Sequence, residues 1–200
     1  GNPGGLLEQA VEVADLFLQD GTIVVTAGNR REGRDEREAQ PRGTEPNYPV
    51  VVLIDGGSAS ASEIVAGALK NNNRALIVGS TSFGKGSVQT IRNLPDGGAL
   101  KITIAQYLTP GDVSIQGVGI TPDIELRPTT VDALDMDIDA DRVWPREADL
   151  SAHLTNTRAR DGGAPAETVS YFFPSEERDQ LRLRGADDLS DDGFREDFPI

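Results

Sequence analysis

The sequence predicts an α/β fold organised around a β–α–β unit. Residues 50–54 form a continuous apolar run, the pattern of a strand buried on both faces of a parallel sheet. Residues 61–69 carry apolar side chains at helical spacing, and residues 75–78 are a second short apolar run. A strand, a helix and another strand in this order predict a right-handed crossover between parallel strands.

Three segments precede this unit. Residues 6–18 place apolar side chains at spacings of three and four, which predicts an amphipathic helix. Before it, Gly4 and Gly5 leave backbone N–H groups unobstructed at a helix N-terminus, a setting that suits an anion. On these residues alone, a plain turn into the helix is the favoured interpretation. Residues 22–26 are β-branched and predict a strand. Residues 28–49 are polar and contain several glycines and prolines, so we expect an exposed loop.

After the unit, the apolar pattern changes to a period of two. Residues 88–94 and 100–108 alternate on either side of a Pro-Asp-Gly-Gly turn, which predicts a β-hairpin. We therefore divide the chain into a folded core, residues 1–127, and an acidic C-terminal extension, residues 128–200.

Composition limits the possible partners. The chain of 200 residues has a net charge of -14, and residues 131–200 alone hold 8 basic and 18 acidic side chains. This balance disfavours nucleic acid and anionic lipid. No stretch approaches the roughly 20 apolar residues of a membrane span. Cysteine is absent, which excludes disulfides and thiolate metal sites. The abrupt start at Gly1 indicates a piece of a longer protein.

Three serines stand at the start of the predicted central helix. The hydroxyls of Ser58, Ser60 and Ser62 would face the positive end of the helix dipole and its unpaired N–H groups. One serine at this position is commonly a helix cap. Three exceed what capping needs, and small neighbours leave room for a substrate carbonyl. We therefore regard these serines as candidate nucleophiles.

A serine nucleophile needs a proton acceptor. The single histidine, His153, lies in the acidic extension, far from any predicted strand end. Lysine is the alternative base, provided that its pKa falls by roughly three units from about 10.4. Lys85 stands among glycines after a buried strand, whereas Lys70 ends a helix and Lys101 lies on an exposed hairpin face. Lys85 is thus the favoured candidate.

A nucleotide-binding interpretation competes with this one. Residues 79–85 follow a strand and match the first seven positions of a phosphate-binding loop, and residues 50–55 resemble an acidic strand end that holds magnesium. However, Gly86 occupies the position of the metal-binding Ser or Thr, and a strand pattern follows where a helix is required.

Four motifs in order resemble the carboxyl-terminal processing peptidases, also called tail-specific proteases. The resemblance extends from Asn2 to about Leu126, and its motifs are residues 2–5, 57–63, 79–89 and 114–123. It implies that Ser60 is the nucleophile and Lys85 the general base. It also implies that Gln89 orients the lysine and that Glu63 matches a polar residue that assists the pair in some members.

The same resemblance implies an oxyanion hole made by the backbone N–H groups of Gly5 and Ala61. The fold it implies is an α/β core related to ClpP and crotonase, with the family's N-terminal strands and inserted PDZ domain absent from this chain. What remains would be about the second half of the catalytic core.

The implied function is a serine endopeptidase that cleaves protein or peptide substrates near accessible C-termini. The resemblance implies no metal, cofactor or nucleotide, and a periplasmic or otherwise exported location. A second hypothesis, from a different class, is a noncatalytic scaffold or interaction domain that retains the peptidase fold.

Overall fold

The computed structural model describes residues 1–28, 33–95, 97–131, 138–139, 145–151 and 163–172. Within these ranges the chain forms two α-helices, ten strands and one short 3-10 helix. In chain order they are α1 Leu7–Asp15, β1 Thr22–Gly28, β2 Arg34–Glu38, β3 Val51–Ile54, α2 Ala61–Asn71, β4 Leu76–Gly79, β5 Ser87–Asn93, β6 Ala99–Thr109, β7 Val113–Ser114, β8 Ile124–Val131, β9 Ile138–Asp139, the 3-10 helix Glu147–Asp149 and β10 Glu167–Phe172.

The strands divide between two sheets. One is antiparallel, with the order β2-β1-β6-β5 and with β7 paired to β6. The other has the order β10-β8-β4-β3, in which each neighbouring pair is parallel, and the short β9 pairs with β8. The predicted parallel β–α–β unit is therefore confirmed as β3, α2 and β4, and the predicted hairpin as β5 and β6.

Helix α2 lies at the centre of the apolar core. Its Ile64, Ala68 and Leu69 pack with α1 and β1, and Ala66 packs with Ile77 of β4 in a second cluster. Helix α1 ends at Asp15, three residues before the predicted end. The following turn is tightened by hydrogen bonds that span three residues, which cannot continue an α-helix.

The expectation that β3 is buried on both faces is wrong. Val51 is 55% exposed and Leu53 76%, whereas Ile54, which points the other way, is 7% exposed. The inner face is covered by α2 and neighbouring apolar side chains. Successive side chains of a strand point to opposite faces, so an apolar run fits burial on both faces but does not ensure it.

The expectation of a loop over residues 28–49 is wrong for residues 34–38. These residues form the edge strand β2, antiparallel to β1. A ladder needs only backbone groups, and the charged side chains of β2 find partners outside it: Arg37 pairs with Glu8 at 2.8 Å and Arg34 with Asp112 at 2.8 Å. The segment was predicted to be a loop because it is highly charged, and a strand whose side chains all lie near the surface has no apolar pattern.

Part of the acidic extension joins the fold. Strand β8 runs past residue 128, and β10 lies parallel to β8 with Glu167 opposite Ile124. No helix in the described ranges has the length and apolar content that crossing a membrane requires.

Candidate active site

The candidate nucleophile lies in a strained turn. Ser60 precedes the first residue of α2 and has φ 56° and ψ -117°, a left-handed backbone that side-chain-bearing residues seldom adopt. The hydroxyls of its neighbours have structural partners: Ser58 Oγ donates to Asp55 Oδ1 at 3.1 Å, and Ser62 Oγ donates to the carbonyl of Asn2 at 2.8 Å. Ser60 thus differs from Ser58 and Ser62 in its backbone conformation.

Glu63 connects the serine turn to the lysine loop. Its side chain is fully buried and accepts four hydrogen bonds. Oε2 accepts the N–H of Ser60 at 2.8 Å and that of Lys85 at 2.9 Å, while Oε1 accepts Ser82 Oγ at 2.5 Å and the N–H of Gly84 at 2.7 Å. Because both N–H groups donate to the same oxygen, the backbone nitrogens of Ser60 and Lys85 lie close together. Their separation cannot exceed the sum of the two hydrogen-bond lengths at Oε2.

Two features of the environment of Glu63 shift the pKa of its carboxyl in opposite directions. Burial raises the pKa of the carboxyl above its ordinary value, and the hydrogen bonds from Ser82 and the three N–H groups oppose that rise without cancelling it. All four partners are donors, so each is satisfied when Glu63 is ionised.

Lys85 lies in the loop between β4 and β5 and is half-buried. Burial lowers the pKa of its ammonium group, and the positive charge of Lys101 lowers it further. The carboxylates of Glu147 and Glu63 act in the opposite direction but do not reverse the shift. The direction is the one that a lysine general base requires.

The glycine loop before α1 packs against the serine turn. The N–H of Ala59 donates to the carbonyl of Asn2 at 2.9 Å. Gly4 has φ 103°, and a Cβ there would approach the carbonyl oxygen of Ala59 to 2.7 Å and the nitrogen of Ala61 to 2.9 Å. Only glycine allows this approach. Within the described ranges, the N–H groups of Gly5 and Ala61 donate to no protein acceptor.

Gln89 occupies a more open position than the other predicted site residues. It lies on β5 next to a bulge, its side chain is exposed, and Nε2 donates to Thr103 Oγ1 at 3.5 Å. The structure thus gives Gln89 a partner on the neighbouring strand β6.

Sequence reasoning missed three polar residues that support the site. Ser82 is fully buried, and its Oγ donates to Glu63 and accepts the N–H of Ile120 at 2.6 Å. Gln116 accepts the N–H of Gly86, and Glu147 accepts a hydrogen bond from Gln116. Ser82 and Gln116 stand within recognised motifs, which could have marked them, whereas no local signal distinguishes Glu147.

The loop geometry does not support the nucleotide-binding alternative. The N–H groups of Gly84 and Lys85 donate to Glu63 and that of Gly86 donates to Gln116, so the groups that would hold a phosphate are occupied. The residues after Lys85 form strand β5, as the sequence predicts. His153 lies outside the described residues. In the part that the structure describes, no three acidic or histidine side chains are arranged to hold a metal.

Similarity to known proteins identifies the family of this chain. Residues 1–126 match the model of peptidase family S41, and the chain belongs to this family. The resemblance drawn from the four motifs is confirmed.

Two relatives of known name are carboxy-terminal-processing enzymes. One from Bartonella bacilliformis is 43% identical over 188 residues, covering 92% of this chain and 41% of that protein. Carboxyl-terminal-processing peptidase 3, a chloroplastic protein of Arabidopsis thaliana, is 45% identical over 139 residues, covering 68% of this chain and 26% of that protein. The chain thus spans about two fifths or less of the length of these relatives.

A solved structure shares this fold. The photosystem II D1 C-terminal processing protease superposes with a TM-score of 0.58 at 41% sequence identity, covering 62% of this chain and 32% of that chain. The α/β fold predicted from the sequence is thereby confirmed at the level of the peptidase family.

Proposed function

We propose that the protein containing this chain is a serine endopeptidase in which Ser60 is the nucleophile and Lys85 the general base. The observation that carries the proposal is the Glu63 carboxylate, which binds the backbone of both residues through one oxygen. The lowered pKa of Lys85 supports the role of base. The exposed glycine loop beside the serine turn supports access by a substrate.

The reaction would proceed through an acyl-enzyme. Ser60 Oγ attacks the peptide carbonyl carbon while the neutral amine of Lys85 takes its proton. The oxyanion that forms receives hydrogen bonds from the N–H groups of Gly5 and Ala61. The carbon–nitrogen bond then breaks, and the Lys85 ammonium protonates the leaving amine. Water attacks the ester, its proton passes through Lys85, and the peptide carboxylate leaves with Ser60 restored.

Further details are proposed from the family. Gln89 would orient Lys85 by moving from its Thr103 contact, and Glu63 positions both members of the pair. Cleavage near accessible C-termini follows the names of the relatives, which include bacterial and chloroplastic proteins. We also propose a core related to ClpP and crotonase and an exported location. The catalytic core would end at residue 127, and the extension from residue 128 would add β10 and the end of β8 to its sheet.

The test uses full-length protein and an unstructured substrate such as casein. Ser60→Ala and Lys85→Ala should each reduce kcat/KM by more than about a thousandfold, because the nucleophile and its base act as a unit. Ser58→Ala is the matched control and should retain most activity. Turnover retained in Lys85→Ala would reject the pair.

The same assay addresses the noncatalytic alternative. A wild-type full-length protein that binds unstructured polypeptide but never cleaves it would favour a scaffold or interaction domain over a peptidase. Cleavage that disappears in Ser60→Ala would exclude that alternative.

A further inference from the structure

A short piece of the acidic extension lies against the loop that carries Lys85. Residues 145–151 include the 3-10 helix Glu147–Asp149. The N–H of Glu147 donates to the carbonyl of Phe83 at 2.9 Å, two residues before Lys85. The guanidinium of Arg146 donates to the carbonyl of Val118. This piece is thus held to the candidate site by backbone groups of two loops.

A side-chain bridge joins the same piece to the other side of Lys85. Gln116 is fully buried, and its Oε1 accepts the N–H of Gly86 at 2.9 Å. Its Nε2 donates to Glu147 Oε1 at 3.1 Å. Glu147 therefore contacts the lysine loop directly at Phe83 and through Gln116 at Gly86.

The bridge also determines which way Gln116 points. The amide nitrogen of a glutamine can only donate, so a carboxylate at Nε2 leaves Oε1 as the atom that faces the Gly86 N–H. A neutral apolar residue at position 147 would remove that preference. The buried N–H of Gly86 could then meet a nitrogen instead of an acceptor, at the cost of an unsatisfied donor.

Among the residues that the structure describes, three charged groups act on the Lys85 amine: Lys101 from β6, Glu63 from α2 and Glu147 from the extension. The Glu63 carboxylate accepts four hydrogen bonds, so replacing it would disturb the serine turn. Glu147 is half-buried and has one side-chain partner among the described contacts, namely Gln116. Glu147 is therefore the acidic group whose removal changes the charge at Lys85 with the least disturbance of the serine turn.

We infer that Glu147 is a positioning residue of this site, which holds the Lys85 loop through its backbone bond to Phe83 and its side-chain bond to Gln116, and whose carboxylate attracts the protonated Lys85 amine. The inference rests on the proposed function of Ser60 and Lys85. It gives residues 145–151 a role that the family resemblance, which ends near residue 126, does not supply.

The test measures the pH dependence of kcat/KM for the full-length protein with labelled casein. Glu147→Gln keeps an oxygen for the Gln116 amide but removes the charge. Because the carboxylate favours protonated Lys85, its loss should move the acidic limb of the profile to lower pH. Glu167→Gln makes the same change at an exposed position of β10, outside the groups that act on Lys85, and should leave the limb unchanged.

A second pair of variants tests the bridge. Glu147→Ala should lower kcat/KM on the pH plateau about tenfold, because the hydrogen bond that orients Gln116 is lost. Gln116→Ala should have a similar effect. If both act through one bridge, the double variant should be no worse than the more damaging single variant.

The outcomes separate this inference from the proposed function. An acidic limb that stays in place or moves to higher pH in Glu147→Gln would overturn the inference, as would full plateau activity in Glu147→Ala. If the wild type is active and Ser60→Ala is not, those results leave the Ser60 and Lys85 pair intact. A wild type without activity would instead contradict the proposed function itself.

Discussion

At the scale of single residues, Ser60 combines chemistry with backbone strain. A residue with a Cβ at φ 56° and ψ -117° costs of order 1–3 kcal/mol, and such cost persists only where surrounding contacts impose it. Here the imposing contacts are the Glu63 bond to the Ser60 N–H and the glycine loop packed against Ala59 and Ala61. The serine turn is therefore held from both sides.

The partly buried charge of Lys85 should make the folded protein less stable than a variant with an apolar residue at this position. We expect Lys85→Met to raise the free energy of unfolding at pH 7 by less than about 1 kcal/mol, because a half-exposed charge is partly screened by solvent. Folding lowers the pKa of Lys85, so the unfolded chain binds more protons between that lowered pKa and 10.5. Wild-type stability should rise with pH across that window, and the difference from Lys85→Met should shrink.

Chemical denaturation at several pH values measures this difference. Lys101→Met replaces an exposed lysine and should change stability by less than about 0.5 kcal/mol at any of them. A Lys85→Met protein less stable than wild type at pH 7 would mean that the attraction to Glu147 and Glu63 outweighs the cost of burial.

At the scale of elements, α2 packs closely against β6 of the antiparallel sheet because the helix has a glycine at the contact. Gly67 is buried in the helix, and a Cβ there would come within 2.4 Å of Thr109 Cγ2 and 3.1 Å of Ile120 Cδ1. A methyl group has no room at this contact. The position of α2 matters for the site because Ser60 immediately precedes its first turn and Glu63 lies within that turn.

We expect Gly67→Ala to destabilise the protein by about 1–3 kcal/mol through overpacking, although the same change in an open helix stabilises by about 1 kcal/mol. Thr109→Ser should suppress the effect, because it removes the clashing methyl and keeps the hydroxyl that binds Asn71 and Val113. Urea denaturation of the two single variants and the double variant measures this. A double variant no more stable than Gly67→Ala would refute the steric explanation.

At the scale of the whole molecule, the outer face of the parallel sheet is apolar and open. The register places five large exposed side chains on this face: Val51, Leu53, Leu76, Val169 and Tyr171. Strand β3 is also an edge of this sheet within the described residues. Open apolar faces and edges of this kind promote association.

We therefore expect the 200-residue chain to bind a hydrophobic dye and to associate as its concentration rises. Leu53→Glu, on the open face, should reduce both effects and leave the free energy of unfolding within about 1 kcal/mol. Ile54→Glu, one residue later on the buried face, is the matched variant and should unfold the domain because it buries an unpaired charge. Dye fluorescence and sedimentation velocity measure the result, and equal behaviour of the two variants would contradict the assigned faces.

Much of the fold was predictable because local patterns specify local structure. The β–α–β unit and the hairpin follow from hydrophobic periodicity and from turn residues. Strand β2 was missed because its charged side chains carry no apolar period. The burial of β3 on one face was missed because an apolar run does not record what lies over it.

The sequence by itself determined the peptidase family and the identities of Ser60 and Lys85 as candidates, since short ordered motifs carry that information. Only the tertiary structure decided how they are held. Glu63 contacts residues as far along the chain as Lys85, and Gln116 and Glu147 come from loops beyond β6. Such hydrogen bonds depend on the packing of segments that are far apart in the sequence, and this packing produces no periodic pattern that could be recognised in the sequence.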